Sequence, residues 1–148
     1  MSGRPGRASS RGPASVAVMT LLVAATSPEG RFAGLATPAS EDALSELLDE
    51  FQRRGQGYLE VMDALAEWPM LAVGLAGNLA VIHLFESPSS VCLLQGARSV
   101  PIEAVVVPIM DELATFDSAF AVSLDTARLV VQQFARRSLP HTLVWHRL

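Results

Sequence analysis

The clearest periodic signal in the chain lies in residues 37–55, "TPASEDALSELLDEFQRRG". Leu44, Leu47, Leu48 and Phe51 recur at i, i+3, i+4 and i+7, which sets them on one face of an amphipathic helix. Thr37 followed by Pro38 suits a helix start, and Ser40 is the rival cap. Glu41 and Asp42 lie at the positive end of the dipole, and Arg53, Arg54 and Gly55 form a stop signal. A second helix is predicted over "SLDTARLVVQQFARRS". Ser123 is its N-cap, Asp125 sits in the first turn, and Arg136 and Arg137 end it. Its buried face would be Leu124, Ala127, Val130, Val131 and Phe134.

The remaining apolar runs read as strands. Residues 19–26 form a Val-containing run closed by "SPEG", which is turn chemistry, and "RFAGLA" suggests a second short strand. "GYLEVMDALAE" suits a strand or a short helix, and a strand at Tyr58–Met62 is expected. "WPMLAVGLAGNLAVIHLFESPSSVCLLQG" reads as a meander, with Gly77 and Asn78 forming a tight hairpin and "SPSS" a second turn. Turns this short require antiparallel pairing. The strands are almost continuously apolar, so both sheet faces should be covered, with His83 half-exposed on one of them. Val105–Val107 reads as a strand that Pro108 cuts short or places on an edge, and Ala119–Val122 continues the sheet. "TLVWH" is the last strand. The expected class is α+β, a mostly antiparallel sheet with two main helices packed on it.

Composition narrows the function more by exclusion than by indication. Half of the 148 residues are hydrophobic and 18% are charged, which argues against disorder and suits one domain. The basic residues number 11, all arginine, against 15 acidic ones, for a net charge of −4. That balance opposes direct nucleic-acid binding and suits a basic protein partner. The lone Cys92 precludes an internal disulfide and reads as a small buried hydrophobe, a pattern that fits the cytoplasm. "MSGRPGRASSRGPAS" has a disordered composition, and the apolar run Val16–Ala25 that follows imitates a signal peptide but is too short to span a bilayer. The expectation is a disordered extension or mis-called start at residues 1–18 and a folded domain over 19–148. A secreted or membrane-tethered protein is the alternative if residues 1–27 are a true signal.

Catalytic patterns are missing. His83, His141 and His146 are scattered without metal-ligand spacing, and no GxSxG, GxGxxG, phosphate-loop or HExxH motif occurs. No enzyme activity, metal or cofactor is expected.

The C-terminal stretch "FAVSLDTARLVVQQFARRSLPHTLVWHRL" carries a more specific pattern. A short lead-in at Val122-Ser123-Leu124 precedes an amphipathic helix that closes on Phe134. Pro140 marks a turn, and a last strand bears Trp145 close to the end. This arrangement resembles the ending of the first of the numbered immunity families found with polymorphic bacterial toxins. "ATPASEDALSELLDE" is similar to that family's first helix and "LAVGLAGNLAVIHLF" to its central hairpin, so the resemblance spans Met19–Leu148. It implies a protein that binds and neutralises a cognate toxin by non-covalent occlusion, often a toxin of the deaminase superfamily or another that attacks nucleic acid. The protein would be cytoplasmic, a monomer or homodimer, with no membrane partner. Charge then nominates Asp49, Glu50, Asp63, Glu67, Asp111, Glu112 and Asp117 as partner contacts. Trp145, Pro140 and Phe134 are the structural signature, with the Trp145 indole packing the last strand against the second helix. The other alternative is a scaffold or small-ligand-binding domain.

Overall fold

The computed structural model describes residues 20–96 and 103–148, so the expected extension at residues 1–18 lies outside the described residues. The elements are β1 (Leu21–Ala25), β2 (Thr37–Ala39), α1 (Glu41–Arg54), β3 (Gln56–Asp63), β4 (Ala66–Ala76), β5 (Leu79–Ser87) and β6 (Ser90–Leu94). They continue with β7 (Ala104–Ile109), β8 (Glu112–Asp117), a 3-10 turn (Ser118–Phe120), β9 (Val122–Ser123), α2 (Leu124–Ala135) and β10 (Trp145–Arg147). The main sheet runs β10-β6-β5-β4-β3-β1-β2, with β9 also paired to β5, and every pairing is antiparallel. β7 and β8 form a separate two-stranded sheet. The α+β class, the mostly antiparallel sheet and both helices are as expected.

Both helices bury the predicted stripes. Leu44, Leu48 and Phe51 of α1 are buried and Leu47 is half-buried against the same core. α2 buries Leu124, Ala127, Val130, Val131 and Phe134, and Ala135 with them. Ser123 caps α2, accepting a hydrogen bond from the Thr126 N–H at 3.1 Å. Ser40, not Thr37, caps α1, because its hydroxyl accepts from the Ala43 N–H at 3.1 Å while Thr37 and Pro38 are taken into β2. Arg128 joins the helices: its guanidinium donates to the Ser45 carbonyl at 3.1 Å, the Ser45 hydroxyl at 2.8 Å and Asp49 at 2.6 Å.

β4 is the middle of the sheet and explains its two unlike faces. Leu71, Val73 and Leu75 point towards the helices and join one core with Leu59, Val61, Ile82 and Leu94. The alternate positions Ala72 and Gly74 point the other way. There the β7–β8 hairpin lies, packing Val105 and Val107 on Val81 and Leu93. A Cβ on Gly74 would stand 2.5 Å from the Pro108 carbonyl oxygen and 2.9 Å from the Val107 side chain. Only a residue with no side chain lets β7 seat this closely. Gly57 does the same on the helical side, where a Cβ would fall 2.2 Å from the Phe51 ring.

Several local expectations are corrected. Residues 31–36, "RFAGLA", form no strand: they turn past the sheet, with Phe32 edge-on to Tyr58 at 5.1 Å between centroids. Of the two expectations for Pro108 the edge position holds: the β7 strand is not cut short but runs on to Ile109, with Pro108 opposite Leu113 in a two-stranded sheet. A two-stranded sheet has only edges, so the missing proline N–H costs no ladder bond that a third strand would need. β8 went unassigned in the sequence because its apolar alternation, Ala114 and Phe116, is short. Ala119–Val122 does not continue the sheet as a unit. Asp117 caps the 3-10 turn through the Ala119 N–H at 2.8 Å, and only Val122 and Ser123 pair, with Ala80 and Leu79.

The last strand is shifted to Trp145–Arg147, pairing with Leu94, Leu93 and Cys92. Flanking bonds lengthen the dock: the Gln95 N–H donates to the Val144 carbonyl at 2.8 Å and the Leu148 N–H to the Val91 carbonyl at 2.9 Å. Trp145 is half-buried against the main core, while Phe134 is buried and Pro140 half-buried. Replacing Trp145 by Ala is therefore expected to cost about 2 kcal/mol, below the ~3–5 of a fully buried aromatic. Gly74→Ala should cost a similar ~2 kcal/mol by forcing the hairpin off the sheet. Urea denaturation measures both. An unchanged midpoint for Gly74→Ala would show that the hairpin does not depend on this close approach.

Candidate partner-binding surface

The seven nominated carboxylates do not form one surface. Asp49 and Glu50 lie on α1, Asp63 and Glu67 at the β3–β4 turn, and Asp111, Glu112 and Asp117 on the hairpin. The first three are neutralised within the molecule. Asp49 pairs with Arg128, Glu50 with Arg53 and Arg54, and Asp63 with Arg137. The arginines beside Glu50 hold its carboxyl below the usual carboxylate range. The Leu65 N–H and then Arg137 do the same for Asp63. Glu67 is exposed at the start of β4.

The hairpin differs. Residues 103–117 contain Glu103, Asp111, Glu112 and Asp117 and no basic residue. The ion pairs among the described residues use none of these four. Asp111 accepts the Phe32 N–H at 2.7 Å, which ties the hairpin tip to the loop before β2. That bond holds a two-residue turn in which Met110 adopts the left-handed region, at φ 58°. Arg31 stands in the loop beside the tip, next to Phe32, and takes part in none of these ion pairs; the other described arginines lie elsewhere. Arg53, Arg54, Arg128, Arg136 and Arg137 belong to the helices or their ends, and each faces a carboxylate. Arg147 faces Glu86.

The hairpin also carries apolar side chains in the open. Val106 is 46% exposed, Met110 50% and Leu113 64%. Val106 stands opposite Thr115, and Leu113 lies two residues along on the same face, away from the sheet. The inward side of β8 is different: Phe116 meets the His83 ring edge-on at 5.5 Å, His83 stacks on Phe85 at 6.1 Å, and Phe85 lies 6.4 Å from Trp68. His83 is half-buried in this aromatic row, as its place in the sheet suggested. Tyr58, beneath the hairpin, donates to Glu60 at 2.7 Å, and burial above all pushes its phenol up.

At the C-terminal end of α2, Trp68, Pro69, Leu84, Phe134 and Leu139 line a cleft of about 710 Å³, with the Asp63–Arg137 pair beside them. Among the described residues no group of three or more His, Cys, Asp or Glu side chains is placed to hold a metal ion. No helix among them is long and apolar enough to cross a membrane. Cys92 is buried and unpaired in a disulfide.

The signal for the exposed apolar patch was present in "VVVPIMDEL" but ambiguous. Until the hairpin's place over β4 is known, nothing in that run distinguishes the residues that face the sheet from those that face solvent. No family model matches the chain, and no curated protein matches it.

Burial lowers the His83 pKa below its ordinary 6.5. The folded state then resists a proton that the unfolded chain accepts. Stability from this group is intact above pH ~6.5 and falls as pH drops from there towards the folded pKa. Denaturation midpoints are expected to decline across that window, and His83→Gln should flatten the decline. A wild-type profile that is level between pH 7 and pH 5 would contradict this.

Proposed function

We propose that this chain is an immunity protein: a non-catalytic domain that binds and neutralises a cognate bacterial toxin. The toxin is of the deaminase type or otherwise directed at nucleic acid, and binding is by occlusion in the cytoplasm. The observation that supports it best is the segregation of charge. The helical layer matches its arginines with carboxylates, whereas the four carboxylates of the hairpin enter no ion pair among the described residues. An enzyme acting on nucleic acid needs a basic cleft, and an acidic, rigid inhibitor gains both association rate and selectivity against such a surface. The similarity of residues 120–148 to the ending of the immunity family points the same way.

The 710 Å³ cleft beside Trp68 favours a second reading, a small-ligand-binding domain, since its volume and apolar lining suit a small organic molecule.

The two readings part in one experiment. The product of the adjacent gene is expressed in cells with and without this protein, and the two are co-purified. Stoichiometric binding together with rescue from toxicity is the expected result. A neighbour that is harmless, or toxic and unaffected, would remove the immunity reading and leave the cleft as the best lead.

A further inference from the structure

We infer that the outer face of the β7–β8 hairpin is the docking surface, and that its occupant is a protein surface on which arginine or lysine side chains ring an apolar centre. This rests on the immunity reading and specifies where, and by what chemistry, the partner is held.

The sheet-facing side chains of the hairpin are used up in packing on Val81, Leu93 and His83. Among the described residues Pro108 on the solvent side is buried, but Val106, Met110 and Leu113 are left uncovered, each about half or more exposed. The register makes Val106 and Leu113 diagonal neighbours across the ladder, with Met110 in the adjoining turn, so the three cluster at one end of the hairpin rather than scatter. Glu103 and Asp117 lie at one end of the hairpin and Asp111 and Glu112 at the other. The arrangement is an apolar centre with a charged rim, as at protein interfaces.

Charge selects among the possible occupants. A second copy docked face to face would set four carboxylates against the same four, which costs binding energy. Nucleic acid and anionic lipid surfaces are repelled for the same reason. A basic protein surface meets all four carboxylates favourably, and its apolar atoms would cover Val106 and Leu113.

The chain is tested against the adjacent gene product by kinetic binding at several salt concentrations. Leu113→Arg puts a like charge at the centre and should weaken binding about 30-fold or more, chiefly through faster dissociation. The double change Glu103→Lys and Glu112→Lys should slow association about tenfold at low salt and flatten its salt dependence. All three positions are exposed, so melting temperatures should stay at the wild-type value. Asp42→Lys with Glu46→Lys, exposed on α1, is the control and should leave both rates within about twofold. If the wild-type chain binds and the hairpin variants bind equally well, the surface is wrong while the immunity reading stands. If the α1 control weakens binding instead, the partner sits on the helical layer. Dimerisation of the wild-type chain that Leu113→Arg abolishes would make the occupant a second copy. No binding by the wild-type chain overturns the reading and this surface together.

Discussion

The structure depends on an asymmetry of side-chain size along β4. From Leu71 to Ala76 large and small residues alternate: Leu71, Val73 and Leu75 against Ala72, Gly74 and Ala76. Because strand side chains alternate between faces, one face of the sheet centre is thick and the other nearly bare backbone. Helices, whose own side chains need room, pack on the thick face. On the bare face β7 comes close enough for the Pro108 carbonyl to stand where a Gly74 Cβ would be. A larger residue at Gly74 would lift the hairpin and expose Val81 and Leu93, which Val105 and Val107 now cover. The layer order thus follows from volume rather than from hydrophobicity, which is similar on both faces.

That distinction sets how much was legible in the sequence. Patterns carried within one element were readable: the stripe Leu44-Leu48-Phe51, the cap at Ser123 and the two-residue link at Gly77 and Asn78 all depend on neighbours a few positions away. What depended on distant partners was not. Residues 31–36 have strand-like composition, but Phe32 is drawn to Tyr58 and its N–H to Asp111, and no strand forms. Pro108 fits an ending or an edge position in the sequence, and only the two-stranded sheet it serves decides for the edge. β8 is legible only as the partner of β7.

The candidate surface shows the same division. Acidic residues can be counted in a sequence, but their availability cannot. Asp49 is taken up by Arg128, 79 positions away, which also donates to Ser45. Asp63 is taken up by Arg137. These pairs join α1 to α2 and the β3–β4 turn to the end of α2. Their main work is holding elements in place, and exposed pairs of this kind contribute at most about 1 kcal/mol each. Trp145 follows a similar logic. Its pairing with Leu94, with the bonds from Gln95 and Leu148 on either side, closes the β6 edge of the sheet. An indole half-buried in that role has little surface left to act as a binding anchor.

A net charge of −4 therefore understates the molecule's electrostatic character, since it averages over two layers that behave differently. In the helical layer, guanidinium and carboxylate groups sit within hydrogen-bond reach and their fields largely cancel beyond a Debye length, about 8 Å at physiological salt. In the hairpin layer the carboxylates form no ion pair among the described residues, even with Arg31 beside the tip, so their field extends into solvent. The low-dielectric sheet beneath them, dense with Val81, Leu93, Val105 and Val107, directs that field outward. A partner approaching from the hairpin side therefore meets a negative face, and one approaching from the helices meets a nearly neutral one. The same glycine that brings β7 down onto the sheet thereby fixes where the unbalanced charge is displayed.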